Sequence, residues 1–252
     1  TITAVVDGVL LSAPAYITFI HGVFHHITIT PIGPQSVEYG NTIAFSAQGY
    51  DINNNAIPGI VYTWSVVPGT GTGTVDSSGL FTATGVGTAV VRATSGVILG
   101  DSGTITIIPR PITVTADPKT KIYGQSDPSL TYQITSGSLA FSDAFTGEIS
   151  RESGEDVGIY AIGQGTLALN SNYNLIFIEA DFEITPAALT ISATVDNKVY
   201  DGTTDATAHL TIEGLVDDDE ITADYANADF DNKNVGTGKT VTVTGITIDG
   251  AK

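Results

Sequence analysis

The chain has 252 residues, with 27 acidic against 9 basic side chains, a net charge of −18, 28 Gly, and neither Cys nor Met. That balance excludes a nucleic-acid partner, which needs a basic footprint, and docking on anionic lipid. Without Cys there are no disulfides, thiolate metal sites or thiol nucleophiles, and no stretch of about 18 uncharged apolar residues predicts membrane insertion.

Taken in chain order, the sequence reads as strands. Residues 1–26 hold two of them, Thr1–Val6 and Tyr16–Ile20, too little for a core. From 27 to 108, runs such as Ile27-Thr28-Ile29-Thr30 and Thr104-Ile105-Thr106-Ile107 alternate β-branched with small polar residues. This is the period of a strand with one buried face. Gly, Pro, Asn and Asp punctuate the runs. Trp64, inside Tyr62-Thr63-Trp64-Ser65, is expected in the core of a sandwich. Gly69-Thr70-Gly71-Thr72-Gly73 is Gly-rich, but no helix follows, so it is not a phosphate cradle.

Beyond residue 108 the sequence repeats. Pro109-Arg110-Pro111-Ile112-Thr113-Val114 matches Pro186-Ala187-Ala188-Leu189-Thr190-Ile191 at an offset of 77. The same offset relates Lys121-Ile122-Tyr123-Gly124 to Lys198-Val199-Tyr200-Asp201. Residues 109–186 and 187–252 therefore read as two related modules, in which Tyr123 and Tyr200 hold equivalent packing positions. The first has late strands at Tyr173–Ile178 and Phe182–Thr185, whereas the second stops at Lys252 without a counterpart. It is expected to lack its closing strand, which leaves an open edge.

Candidate chemistry is sparse. Asp217-Asp218-Asp219-Glu220 is a candidate Ca²⁺ site, since hard cations take several oxygen ligands; a solvated acidic loop is the alternative. The region from 187 onward carries 12 acids against 4 Lys, so it is where a cation would relieve most repulsion. Asp51-Ile52-Asn53-Asn54-Asn55 begins like a calcium loop, but an EF-hand would need Glu where Tyr62 stands. A turn between strands fits better. His21, His25 and His26 read as a junction surface rather than a zinc site. Neither a nucleophile elbow nor a metalloprotease pair of His occurs, so no enzyme is expected and no catalytic residue is named.

These residues carry family resemblances. Residues 27–108, with Thr63-Trp64-Ser65 and Gly79-Leu80-Phe81-Thr82-Ala83, resemble a bacterial immunoglobulin-like domain of the group-2/invasin type. Residues 109–186, through Lys121-Ile122-Tyr123-Gly124 and Asp127-Pro128, resemble an MBG module. Residues 187–252, through Lys198-Val199-Tyr200-Asp201-Gly202-Thr203-Thr204, resemble the related YDG module. Residues 1–26 look like the tail of a preceding Ig-like domain. The resemblance implies an all-β array of antiparallel sandwiches from a large bacterial surface protein, often an adhesin. It further implies an extracellular location, neighbouring modules as partners and a host-surface or glycan ligand that it does not name. Internal Lys–Asn crosslinks are known in some such domains, with Lys121 and Lys198 as the candidates here.

Two readings of function follow. The first is a non-enzymatic stalk segment with Pro-stiffened joints at Pro109-Arg110-Pro111 and Pro186-Ala187-Ala188. The second is a self-assembling filament or surface-layer subunit. In it, the strand Tyr16-Ile17-Thr18-Phe19-Ile20 of one molecule completes the open last module of the next, as in donor-strand complementation. No basic n-region opens the chain, which reads as a piece of something longer.

Overall fold

The computed structural model describes residues 5–6, 9–10, 20–216 and 219–250. Among these residues every regular element is a strand, so the fold is all-β. Alternation in the sequence becomes alternation in burial. The strand Gly87–Ser95 buries Ala89, Val91 and Ala93, and Ile105–Ile108 buries Ile105 and Ile107 while Thr106 and Ile108 face out.

Two compact units are present, and they do not follow the sequence modules. The first takes residues 1–113, 136–145 and 168–176; the second takes 114–135, 146–167 and 177–252. In the first unit a five-stranded sheet runs Ile98–Asp101, Gly87–Ser95, Ile105–Ile108 and Gln35–Glu38, with Thr63–Pro68 also paired to Gly87–Ser95. A second sheet orders Thr42–Ala44, Leu80–Gly85 and Thr72–Val75, and a third orders Phe24–Thr30, Ser46–Asp51 and Ala56–Ile57. Ile27, Ile29, Phe45, Phe81, Val91 and Ile105 are buried in this unit. The third sheet begins at Phe24, ahead of residue 27, and takes His25 and His26 into its first strand. His26 stacks on Tyr50 with ring centroids 5.3 Å apart.

Trp64 departs from expectation. It lies on the strand Thr63–Pro68 but is only half-buried, and the fully buried aromatic is Phe81. The indole covers the turn at Gly79, where φ is +86°. A Cβ there would stand 2.3 Å from the Phe45 carbonyl oxygen and 3.0 Å from Trp64, so only glycine fits. The Gly-rich run has a similar cause. Gly69 and Gly71 both donate their N–H to the Thr88 carbonyl at 3.0 Å, and a Cβ on Gly71 would be 2.7 Å from the Gly87 backbone.

Asp51 is 1 % exposed and organises its own loop. Its carboxylate accepts from the N–H groups of Gly22 (2.8 Å), Asn53 (2.9 Å) and Asn55 (2.9 Å), and from Asn55 Nδ2 (2.9 Å). The Asn55 side chain and then the Gly22 amide hold this carboxyl well below the usual range. The acid that resembled a metal ligand is therefore consumed in closing a turn. Asp51→Ala should lower the melting temperature by about 5–10 °C, because it strands several donors at once; a thermal melt followed by circular dichroism checks this.

In the second unit the largest sheet orders Lys119–Ile122, Ala180–Thr185, Gly158–Gly163 and Ser150–Arg151. Ala116, Ile162, Phe182 and Ile184 form its buried cluster, with Tyr123, Tyr160 and Phe177 packed against it. The last module contributes three two-stranded pairs: Thr190–Val195 with Ala208–Glu213, Thr222–Asp224 with Thr247–Asp249, and Asn227–Phe230 with Val241–Thr244. Tyr200 corrects a second expectation. It is 63 % exposed, because residues 196–200 belong to no strand and no ladder holds the ring inward.

Candidate functional site: the tyrosine–aspartate joints

One device occurs twice. A short strand is laid parallel to a later one: Gln35–Glu38 beside Ile105–Ile108, and Lys119–Ile122 beside Phe182–Thr185. Each is followed at once by Tyr-Gly. The Tyr39 N–H donates to the Ile108 carbonyl (3.0 Å), and the Tyr123 N–H donates to the Thr185 carbonyl (2.8 Å). Gly40 and Gly124 both turn at φ +82°, a left-handed conformation. The backbone thereby fixes each ring at the end of its own module. Each hydroxyl then reaches an aspartate of the following sequence module. Tyr39 Oη donates to Asp143 Oδ2 at 2.8 Å, and Tyr123 Oη donates to Asp219 Oδ1 at 2.8 Å.

The first joint is the more elaborate. Tyr173 Oη also donates to Asp143 Oδ2 (2.8 Å), and Asn170 Nδ2 donates to Asp143 Oδ1 (3.1 Å). Tyr39 meets both Tyr173 and Phe141 edge-on, with centroids 5.4 Å away in each case. Arg110, midway through the expected proline linker, donates to the Tyr39 carbonyl (3.3 Å), Asn41 Oδ1 (3.2 Å) and Ser138 Oγ (2.9 Å). The linker thus continues directly into the strand Arg110–Ala116. Burial, then the carboxylate of Asp143, pushes the Tyr39 phenol up to about 12. Hydrogen bonds from Tyr173 and Tyr39 in turn hold the Asp143 carboxyl below its usual range.

At the second joint the hydrogen bond to Asp219, then burial, raises the Tyr123 phenol. A cavity of about 160 Å³ adjoins it, lined by Tyr123, Pro186, Leu189, Val216, Asp219 and Ile221 among others. A Cβ at Gly124 would stand 2.5 Å from the Val216 side chain, so glycine here serves the close approach as well as the turn.

Beside this joint lies a charged cluster that the sequence does not announce. Lys121 is 6 % exposed, donates to Asp127 Oδ1 at 2.7 Å and pairs with Glu155. Arg151 forks onto both oxygens of Asp127 (2.6 and 3.1 Å), meets Glu155 Oε1 (2.5 Å) and lies 4.7 Å over the Phe182 ring. Burial alone would lower Lys121, but its bonds to Asp127 and Glu155 outweigh it and hold the ammonium above its ordinary range. Arg151 first, then Lys121, lowers Asp127 to about 2. Both partners of Lys121 are charged, whereas amide formation needs a neutral amine and an uncharged acceptor. The geometry is that of an ion pair. At the equivalent position, Lys198 donates to Thr203 Oγ1 (2.6 Å) and the Asp205 carbonyl (2.8 Å), and pairs with Asp201 at 2.9 Å.

Because Asp127 is lowered, its contribution is complete above pH 4 and is lost as the pH falls toward about 2. An acid titration of urea stability should show that loss, and Asp127→Asn should flatten it.

Of the acidic run, Asp217 and Asp218 lie outside the described residues, while Asp219 serves as the acceptor for Tyr123. Glu220 is described, and among the described residues no group of three His, Asp or Glu could hold a metal. Tyr16, Ile17, Thr18 and Phe19 lie outside the described residues; Ile20 is 84 % exposed. Sequence reasoning missed Asp143, which sits 104 positions from Tyr39. The Tyr-Gly pair Tyr39-Gly40, which matches Tyr123-Gly124, was the available signal.

Comparison with known families agrees with the repeat. Residues 112–183 match the MBG domain of the YGX type and residues 185–252 match the YDG domain. Tyr123-Gly124-Gln125 and Tyr200-Asp201-Gly202 carry those letter patterns. No curated protein matches the chain. Among solved structures, it is similar to the Escherichia coli adhesin FdeC, at 15 % identity over 92 % of this chain and 96 % of that one, with a TM-score of 0.28. It is also similar to the N-terminal eight Ig domains of Down syndrome cell adhesion molecule, at 11 % identity over 92 % of this chain and 39 % of that one, with a TM-score of 0.21.

Proposed function

We propose that this chain, which carries an MBG domain followed directly by a YDG domain, is a non-enzymatic structural segment of an extracellular bacterial surface protein. The observation that supports a load-spacing role is the repeated joint. Tyr39 with Asp143 and Tyr123 with Asp219 each tie the end of one sequence module to the next at the same 2.8 Å. A buried phenol donating to a carboxylate is a directional tie, and its ring adds apolar contact. Such joints resist hinge motion between modules, which is what a stalk requires of its linkers. The Thr- and Asp-rich composition without Cys suits a surface that stays solvated and matures without oxidation.

Antibody raised against residues 1–252 should label intact source cells. Labelling that appears only after lysis would overturn the surface reading. Separately, small-angle scattering of the double variant Tyr39→Phe, Tyr123→Phe should show a broader distribution of dimensions than the parent. Superimposable curves would overturn the role assigned to the joints.

A further inference from the structure

The two joints share more than their tyrosines, because the loops that receive them correspond as well. Leu139, Ala140 and Asp143 recur 76 residues on as Leu215, Val216 and Asp219, and Phe145 recurs as Ile221. Each loop opens on a left-handed glycine, Gly137 at φ +79° and Gly214 at φ +93°. A Cβ on Gly137 would stand 2.5 Å from the Pro111 carbonyl oxygen, and one on Gly214 would stand 2.6 Å from that of Ala188. Pro111 and Ala188 are themselves equivalent in the repeat. The Asp143 N–H then donates to the Ala140 carbonyl (3.2 Å), and the Asp219 N–H donates to the Val216 carbonyl (3.1 Å). The same tight turn therefore aims the carboxylate in both modules.

Two contacts define what each loop receives. One is the phenol O–H on the aspartate, at 2.8 Å in both joints. The other demands a residue without a side chain. A Cβ on Gly40 would stand 2.5 Å from Ala140 Cβ, and one on Gly124 would stand 2.5 Å from the Val216 side chain. Equivalent loop positions thus press on equivalent glycines. Phe in place of Tyr would lack the donor, and Ala in place of Gly would lack the room. The Arg110 guanidinium, which braces the first joint, has Ala187 as its counterpart at the second. It reinforces one joint and is not part of the shared set.

We infer that the two loops are one socket with one occupant, a strand-terminal Tyr-Gly, and that either socket accepts the Tyr-Gly of either preceding module. The Ig-like and MBG modules differ in sequence yet end in the same plug, and the MBG and YDG modules present the same socket. Which tyrosine meets which aspartate is then set by order along the chain, not by a private fit. Modules are interchangeable at their joints, and one MBG module can follow another directly. The inference rests on the modular reading above, but its test reads the pairing itself, independently of cellular location and of stiffness.

The test is the full chain with residues 112–188 duplicated in tandem. This creates a pairing absent from the parent, Tyr123 of the first copy with Asp143 of the second. Isotope-labelled tyrosine rings are titrated with alkali and assigned by single Tyr→Phe variants. The first-copy Tyr123 phenol should titrate above the ordinary tyrosine range, as Tyr123 does in the parent. Asp143→Asn in the second copy alone should return it to that range and leave Tyr39 unchanged. A first-copy Tyr123 in the ordinary range, or one raised equally with and without the second-copy aspartate, would overturn the inference. A variant of parental length asks the same question without a new module. Ala140→Val combined with Val216→Ala exchanges the two socket residues, and both Tyr39 and Tyr123 should remain raised. Return of either phenol to the ordinary range in that variant would show that each socket is fitted to its own tyrosine, and would equally overturn it.

Discussion

Phe182→Ala is expected to destabilise the second unit by about 3–5 kcal/mol. Phe182 is fully buried on an inner strand of its four-stranded sheet, and it packs with Ala116, Ile162 and Ile184. Truncation removes the ring from that cluster and leaves a cavity that strands fixed on both sides cannot close. It also removes the surface under the Arg151 guanidinium, 4.7 Å away, which positions that side chain over Asp127. Urea unfolding followed by far-ultraviolet circular dichroism should show an early transition from the second unit. A single unshifted transition would mean that the cluster is not the core of this unit. Phe182→Leu, which retains most of the volume, should cost well under half as much.

Asp143→Ala is the second large effect, because it removes one acceptor from three donors at once: Tyr39, Tyr173 and Asn170. Hydrogen bonds to a charged acceptor contribute about 1.5–3 kcal/mol. Tyr39 is only 4 % exposed, so its hydroxyl finds water poorly once Asp143 is gone. A loss of about 2–3 kcal/mol in the first unit is expected, read as faster amide exchange across residues 138–143 and 170–173. Alkali should reach the same end by another route. The Tyr39 phenol is raised to about 12, so its contribution is complete below pH 10 and disappears as the pH rises toward 12. Tyr39→Phe should remove most of that alkaline step. Exchange that is uniform in variant and parent would show that the aspartate is not the keystone of the joint.

The strands were legible because their physics is local. Ile27-Thr28-Ile29-Thr30 and Val241-Thr242-Val243-Thr244 state their period within four residues, and both are strands. The module repeat was legible for the same reason: the Lys-aliphatic-Tyr element is contiguous in sequence. Contacts over long separations were not. Nothing near Tyr39 or Asp143 marks either as the other's partner, and Lys121 meets Glu155 across 34 positions. Trp64 misled because an aromatic in a strand-like run says which element it joins but not which layer covers its face. Tyr200 misled for a different reason. Equivalence in a repeat predicts equivalent burial only where the local backbone pairs alike, and residues 196–200 join no strand as Lys119–Ile122 do. Asp51 shows the converse, a polar residue placed inside because four donors converge on it.

The parallel strand pairs have a mechanical consequence. In both Gln35–Glu38 with Ile105–Ile108 and Lys119–Ile122 with Phe182–Thr185, an early strand of a module lies alongside its last, pointing the same way. Tension applied along the chain pulls the two members of such a pair in opposite senses along their length. The hydrogen bonds then bear the pull together, in shear, instead of opening one after another like a zipper. Pulled from its two ends, either pair yields only when several hydrogen bonds break together.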